Sequence, residues 1–308
     1  MKQRVALLFA AFALSACAHV ATPDTPPAPE LSRWLGDLDS PRPSVYRIAA
    51  AYVAHAGPVA LDSLAARLPG ASPVLRAHIK LAVGVMLLTS VSPEEVARRA
   101  TLRALGAADL DAAEGHAAAL CASHEYERDI GVPSDSTMRH HDRLVALGGW
   151  SAPAAVSLTQ CKGPTGRVFG LHILMELKAG GQAASLAALS GDSTIVIAGE
   201  DEPQERTTVA ALAASYARAF PFSNHGPEVA GGPPRTVPGE AEEFLGAVAR
   251  QDGVAMPEYA LVNRMRDDAK TATARTWDEY WQRARPVLES MWDAAAAPAT
   301  PPTKETPR

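Results

Sequence analysis

Aromatic side chains are scarce, at 6% of the chain. A large β-sandwich builds its core from aromatic and β-branched residues, so that architecture does not fit, whereas alanine-rich close packing of helices does. Positive charge is also short: 29 Lys and Arg face 34 Asp and Glu, for a formal net charge of −5. That leaves no basic stripe for a nucleic acid and no polybasic tract for an anionic lipid surface. Beyond the first residues no apolar run reaches membrane-spanning length. Cysteine occurs three times and never in a C-x-x-C pair that would mark a metal site.

Catalytic signatures are missing too. A P-loop needs G-x-x-x-x-G-K-[ST] after a buried strand, so that amides, a lysine and a hydroxyl converge on phosphate and magnesium. The nearest stretch, "KGPTGRVFGLH" at 162–172, sets Gly163 and Gly166 too close together and follows Arg167 with Val168. No G-x-S-x-G elbow exists for a serine hydrolase. In "HEYERD", His124 to Asp129, Arg128 stands where H-E-x-x-H needs its second imidazole. The acidic residues Asp192, Asp201, Glu202 and Glu205 lack the ligand order of an EF-hand.

What is present begins at the N-terminus. Lys2 and Arg4 precede the apolar run "VALLFAAFAL", Val5 to Leu14, which has the length of a secretory h-region. It runs into "LSAC", Leu14 to Cys17, which resembles the lipobox of bacterial lipoproteins. The resemblance implies a signal peptide at 1–16 and a palmitate-type lipid on Cys17 as the first mature residue. The lipid would be the sole membrane anchor. Ala18 rather than Asp follows the cysteine, which within that family implies the outer membrane, facing the periplasm. An ordinary export signal with an incidental Cys17 is the alternative. Export leaves Cys121 and Cys161 in an oxidising compartment, where an even pair favours a disulfide over a metal site. Two buried thiols are the other reading.

"ATPDTPPAPE" at 21–30 is rich in proline, so 17–40 is expected to be a tether, and "APATPPTKETPR" makes 296–308 a disordered tail. A Pro/Gly-rich linker at 221–240 separates a helical domain, 41–220, from a C-terminal helical segment, 241–295. Within the domain the hydrophobic period is helical. Val45, Ile48, Ala49 and Tyr52 share one face, as do Leu61, Leu64, Ala65 and Leu68, and then Ile79, Ala82, Val83 and Met86. Ser92 and Glu95 form a capping box for a further helix that Gly106 is suited to end. "STIVIAG", Ser193 to Gly199, is the one short extended segment expected in an otherwise all-α chain.

"PSVYRIAAAYV", "SPVLRAHIKLA" and "PTGRVFGLHIL" share a proline turn, an arginine (Arg47, Arg76, Arg167) and an apolar helix. This pattern resembles the HEAT-type α-solenoid, built from antiparallel helix pairs. In that family the arginine supports the turn. Arg167 is therefore expected to brace a bend, its loss costing about 1 kcal/mol, the size of one hydrogen bond. The C-terminal "WDEYWQRARPVLESMWDA" puts Trp277, Tyr280, Trp281, Ala284, Leu288 and Met291 at helical spacing. Core packing is the first reading of that stripe and a partner-binding face the second.

These features point to a non-catalytic envelope lipoprotein that serves as a protein- or peptide-binding helical scaffold. It is not expected to act as an enzyme, and no cofactor, metal or nucleic-acid partner is implied. Two other classes stay open: a metal-dependent hydrolase using His124, Glu125, His140 and His141, and a purely structural envelope protein. His172, inside an apolar helix, reads as a satisfied core or groove histidine.

Overall fold

The computed structural model describes residues 28–89, 100–124, 133–198, 205–219, 237–254 and 274–296. Among them the chain is all-α apart from one two-stranded sheet. The first four helices are α1 (Ala28–Asp37), α2 (Pro43–Ala56), α3 (Val59–Arg67) and α4 (Pro73–Thr89). Then come α5 (Ala100–Cys121), α6 (Asp135–Ala146), a 3₁₀ turn (Gly148–Ser151), α7 (Ala152–Thr159) and α8 (Pro164–Glu176). A second 3₁₀ turn (Gly180–Gln182) leads into α9 (Ala183–Ala187), the strands β1 (Ile195–Ala198) and β2 (Glu205–Thr208), and α10 (Val209–Ala219). The last helices are α11 (Val237–Gln251) and α12 (Trp277–Ala296).

The expected stripes bury as their spacing dictates. Ile79, Ala82, Val83 and Met86 are fully enclosed, and so are Leu61 and Leu64. From Leu81 to Thr89, α4 is buried on every side, the mark of a helix surrounded by others. It packs against α2, α11 and both 3₁₀ turns. Breaks fall where glycine permits a left-handed backbone: Gly57 at φ +70° closes α2, and Gly70 at φ +80° follows α3.

Four features depart from the sequence expectations. Residues 28–37, inside the expected tether, form α1, because Leu31, Trp34, Leu35 and Leu38 repeat at helical spacing. Trp34 and Leu38 are buried, and the Trp34 ring stacks on Tyr52 at 4.8 Å. Secondly, the helix does break at Gly106, but a second one resumes directly after it. Gly106 is a kink inside α5 with φ −159° and ψ 44°, and Trp150 occupies the space a side chain there would need. The capping box at Ser92 and Glu95 lies outside the described residues. Thirdly, β1 has an antiparallel partner, β2, paired Ile195 to Thr208 through Ala198 to Glu205. The sequence "ERTT" is polar and carries no strand signature of its own.

The fourth departure joins the two ends of the fold. α11 packs on α2 and α4, and α12 packs on α2 and α11. Tyr280, Trp281, Ala284, Leu288 and Trp292 are buried there, so the aromatic stripe is core. Arg47, rather than bracing its own turn, crosses to Asp252 just beyond α11, with Nε 2.7 Å from Oδ2. Tyr46 donates to the same carboxylate oxygen at 2.9 Å. The N-cap of α2, Arg42, offers its own helix no side-chain acceptor. Asp293 of α12 supplies it instead, accepting from the Ser44 N–H at 2.9 Å and the Ser44 hydroxyl at 2.8 Å. Burial pushes the Asp293 carboxyl up, but these bonds and the Arg42 guanidinium outweigh it and hold it below its usual range.

Candidate functional site

Cys17, the expected lipidation residue, lies outside the described residues, as does Glu125. Cys121 and Cys161 are joined by a disulfide whose Cα atoms are 5.8 Å apart. Cys121 is the last residue of α5 and Cys161 lies between α7 and α8, so the bond ties the long helix to the turn that joins that pair. Gly166 lies beside it: a Cβ there would sit 2.7 Å from Cys161 Cβ and 3.2 Å from Cys121 Cα. The second glycine of "KGPTGR" thus serves packing against the disulfide rather than the path of the turn. Gly170, one turn on, faces Ala155 O and Thr159 N of α7, where a Cβ would meet each at 2.8 Å. Together they let α8 approach its neighbours closely.

Arg167 folds back over the turn that precedes its helix. One terminal nitrogen donates to Cys161 O at 2.9 Å and Lys162 O at 2.8 Å, and the other to the Thr194 hydroxyl at 3.0 Å. Nε lies 2.8 Å from Asp192 Oδ2, an ionic contact whose angle is too poor for a hydrogen bond. Burial pushes Asp192 up, yet hydrogen bonds from Thr194 and the guanidinium charge leave its carboxyl below the usual range. The guanidinium points into loop carbonyls and a carboxylate, an environment that attracts no phosphate. Because four partners lose their cation together, Arg167→Ala should lower unfolding free energy by about 2 kcal/mol, roughly twice the single-bond expectation. Equilibrium urea denaturation measures it. An unchanged midpoint would mean that the brace carries no stability.

The histidines separate into two groups. On α6, His140 and His141 are successive residues, so helical geometry turns them apart. His141 is buried, with Nδ1 3.2 Å from Asp142 Oδ1 and Nε2 3.4 Å from Glu176 Oε2. Its ring lies 5.8 Å from Phe169, and beyond that His172 stands 5.8 Å from Tyr216. Burial, helped by the neighbouring His141, pushes the His172 imidazole down to about 4. It is therefore neutral at pH 7, a packed ring between helices. His140 faces the other way and meets His116 of α5, Nδ1 to Nδ1, at 2.9 Å. His124 lies exposed past the end of α5. Among the described residues no three His, Cys, Asp or Glu side chains converge as a metal site.

His116 has no motif around it. No sequence spacing links positions 116 and 140; only the packing of α5 on α6 brings them together. Among the described residues no helix is long and apolar enough to cross a membrane. Among the described residues, fold and site define an all-α protein in which several ion pairs bridge elements. No family model, curated protein or solved structure matches the chain.

Proposed function

We propose that this chain is a lipid-anchored protein of the bacterial envelope, whose body is a HEAT-like α-solenoid that binds a protein or peptide partner. The observation that supports it best is the reuse of arginine at helix bends. Arg76 donates to Ala71 O and Leu68 O across one turn, and Arg167 to Cys161 O and Lys162 O across another. Such braces hold successive helices at fixed angles, which is what a repeated scaffold requires. The lipobox-like "LSAC" and the proline-rich stretch after it supply the anchor and the reach. The contact of α11 and α12 with α2 covers the apolar face of the first helices.

Growth with labelled palmitate tests the anchor. The wild type should take up label, and Cys17→Ser should take up none, because acylation needs the thiol. Equal labelling of both would end the lipoprotein reading. The binding role is tested by photo-crosslinking residues at Val59, Val74 and Ile195, whose apolar side chains are 49%, 49% and 64% exposed. Discrete protein adducts in intact cells are expected from at least one position. A blank result from all three removes the scaffold assignment for those surfaces.

A further inference from the structure

We propose that the hydrogen bond between His116 and His140 is an acid-sensitive latch that holds α6 against α5. The two Nδ1 atoms are 2.9 Å apart, with ring centroids at 5.2 Å and planes inclined at 57°. Such a bond holds one proton: one nitrogen donates it and the other accepts with its lone pair. Two neutral rings satisfy it. So does a pair with one added proton, which takes the free Nε2 of the donating ring. A second added proton can only go to the accepting Nδ1. Its lone pair is then gone, two N–H groups point at each other, and two cations stand at hydrogen-bond distance. The contact has to open.

Both rings are half-buried, so solvent can deliver the protons. Little around them offsets the charge. One turn either side of His116, α5 carries Ala112, Ala113, Ala119 and Leu120. The same positions around His140 on α6 are Ser136, Thr137, Leu144 and a further cation, Arg143. The 3₁₀ turn at Gly148–Ser151 and α7 also pack on α5 and bear no ionisable side chain. Asp142 and Glu176 of α8 are turned to His141. Lys80 of α4 is held by Asp109, about two turns back along α5. On α3, Arg67 donates to Leu35 O and Asp62 is exposed. Burial, with the charges of His140 and Arg143, pushes the His116 imidazole below its ordinary value. A depressed histidine contributes stability above its unfolded value and loses it as pH falls, because the unfolded chain binds the proton more readily. The latch is therefore closed at pH 7 and weakens from about pH 6.5 downward. A charged His141 attracts Glu176 more strongly, so α6 keeps its hold on α8 while its α5 side lets go. The Cys121–Cys161 bond keeps the released helix within a closed loop.

An NMR titration of the imidazole nitrogens in the full chain from about pH 8 to 5, with amide hydrogen exchange alongside, tests this. At neutral pH one of the two Nδ1 atoms should be protonated and the other not. On acidification the pair should titrate in two coupled steps, the second below the ordinary histidine range. Exchange protection of α6, corrected for intrinsic rates, should fall about threefold or more over that range while α2 and α4 keep theirs. His140→Gln removes one charge and leaves an amide that can still bond. His116 should then titrate in one step, closer to its ordinary value, and the acid response of α6 should vanish. The same comparison cancels the acid response of His172 on α8. His124→Gln should behave as the wild type does. Two rings that titrate independently in the ordinary range, or α6 protection that follows α2 and α4 at every pH, would overturn the latch. The wild-type titration decides this even if a variant fails to fold.

Discussion

Reduction of the Cys121–Cys161 disulfide is expected to lower the unfolding free energy by about 4 kcal/mol, the chain-entropy value for a loop of this length. The bond spans 40 positions and encloses α6 and α7. Opening it frees the unfolded chain more than it disturbs the folded one, since Arg167 and Gly166 still pin the same turn. The loss should therefore appear as a lower denaturation midpoint with the native helix content retained. Urea melts with and without reductant, followed by circular dichroism, measure it. Cys121→Ser with Cys161→Ser should reproduce the reduced protein. Coincident melts, or two alkylatable thiols in the non-reduced protein, would contradict the bridge.

Gly149→Ala should destabilise by about 3 kcal/mol or more, at the upper end of overpacking costs. A Cβ at 149 would stand 1.8 Å from the carbonyl oxygen of Gly84 and 2.5 Å from its carbon. Both are backbone atoms in the buried half of α4, so no side-chain rotation relieves the clash. Moving the 3₁₀ turn away breaks what it holds. The Gly149 N–H donates to Gln251 Oε1 at 2.7 Å, and Trp150 Nε1 donates to Lys80 O at 3.2 Å. The Trp150 ring also fills the space beside Gly106. Gly115→Ala is the matched control: a Cβ there meets nothing within 4 Å, on an exposed part of α5. It should stabilise by roughly 0.5–1 kcal/mol through helix propensity. Equal effects of the two substitutions would refute the close-approach account.

The contrast between these glycines shows which parts of the fold the sequence discloses. Periodicity exposes a helix wherever one face is apolar, so α2, α3 and α4 were legible from Val45, Leu61 and Ile79 onward. The same rule applied to Leu31, Trp34, Leu35 and Leu38 marks α1, but the prolines just before it mask the signal. Gly84 and Gly149 lie 65 positions apart, and nothing local says that two backbones touch there. The His116–His140 pair is hidden for the same reason, being a product of helix packing. The arginine turns were half legible. Arg76 and Arg167 reach back to nearby carbonyls, as their shared pattern implied. Arg47, with the same flanking sequence, is claimed by Asp252 across the fold.

One further consequence concerns time. The acceptor that caps the N-terminus of α2 belongs to Asp293, 249 positions later. A ribosome adding about 5–20 residues per second leaves that cap absent for roughly 10–50 s after Ser44 is made. The Trp281 ring, 6.4 Å from Trp34 in the finished molecule, arrives just as late. During that interval the nascent chain carries an open apolar seam along its earliest helices. Completion of the fold is thus set by the last helix to emerge, and a chain that stops before Trp277 leaves the seam uncovered.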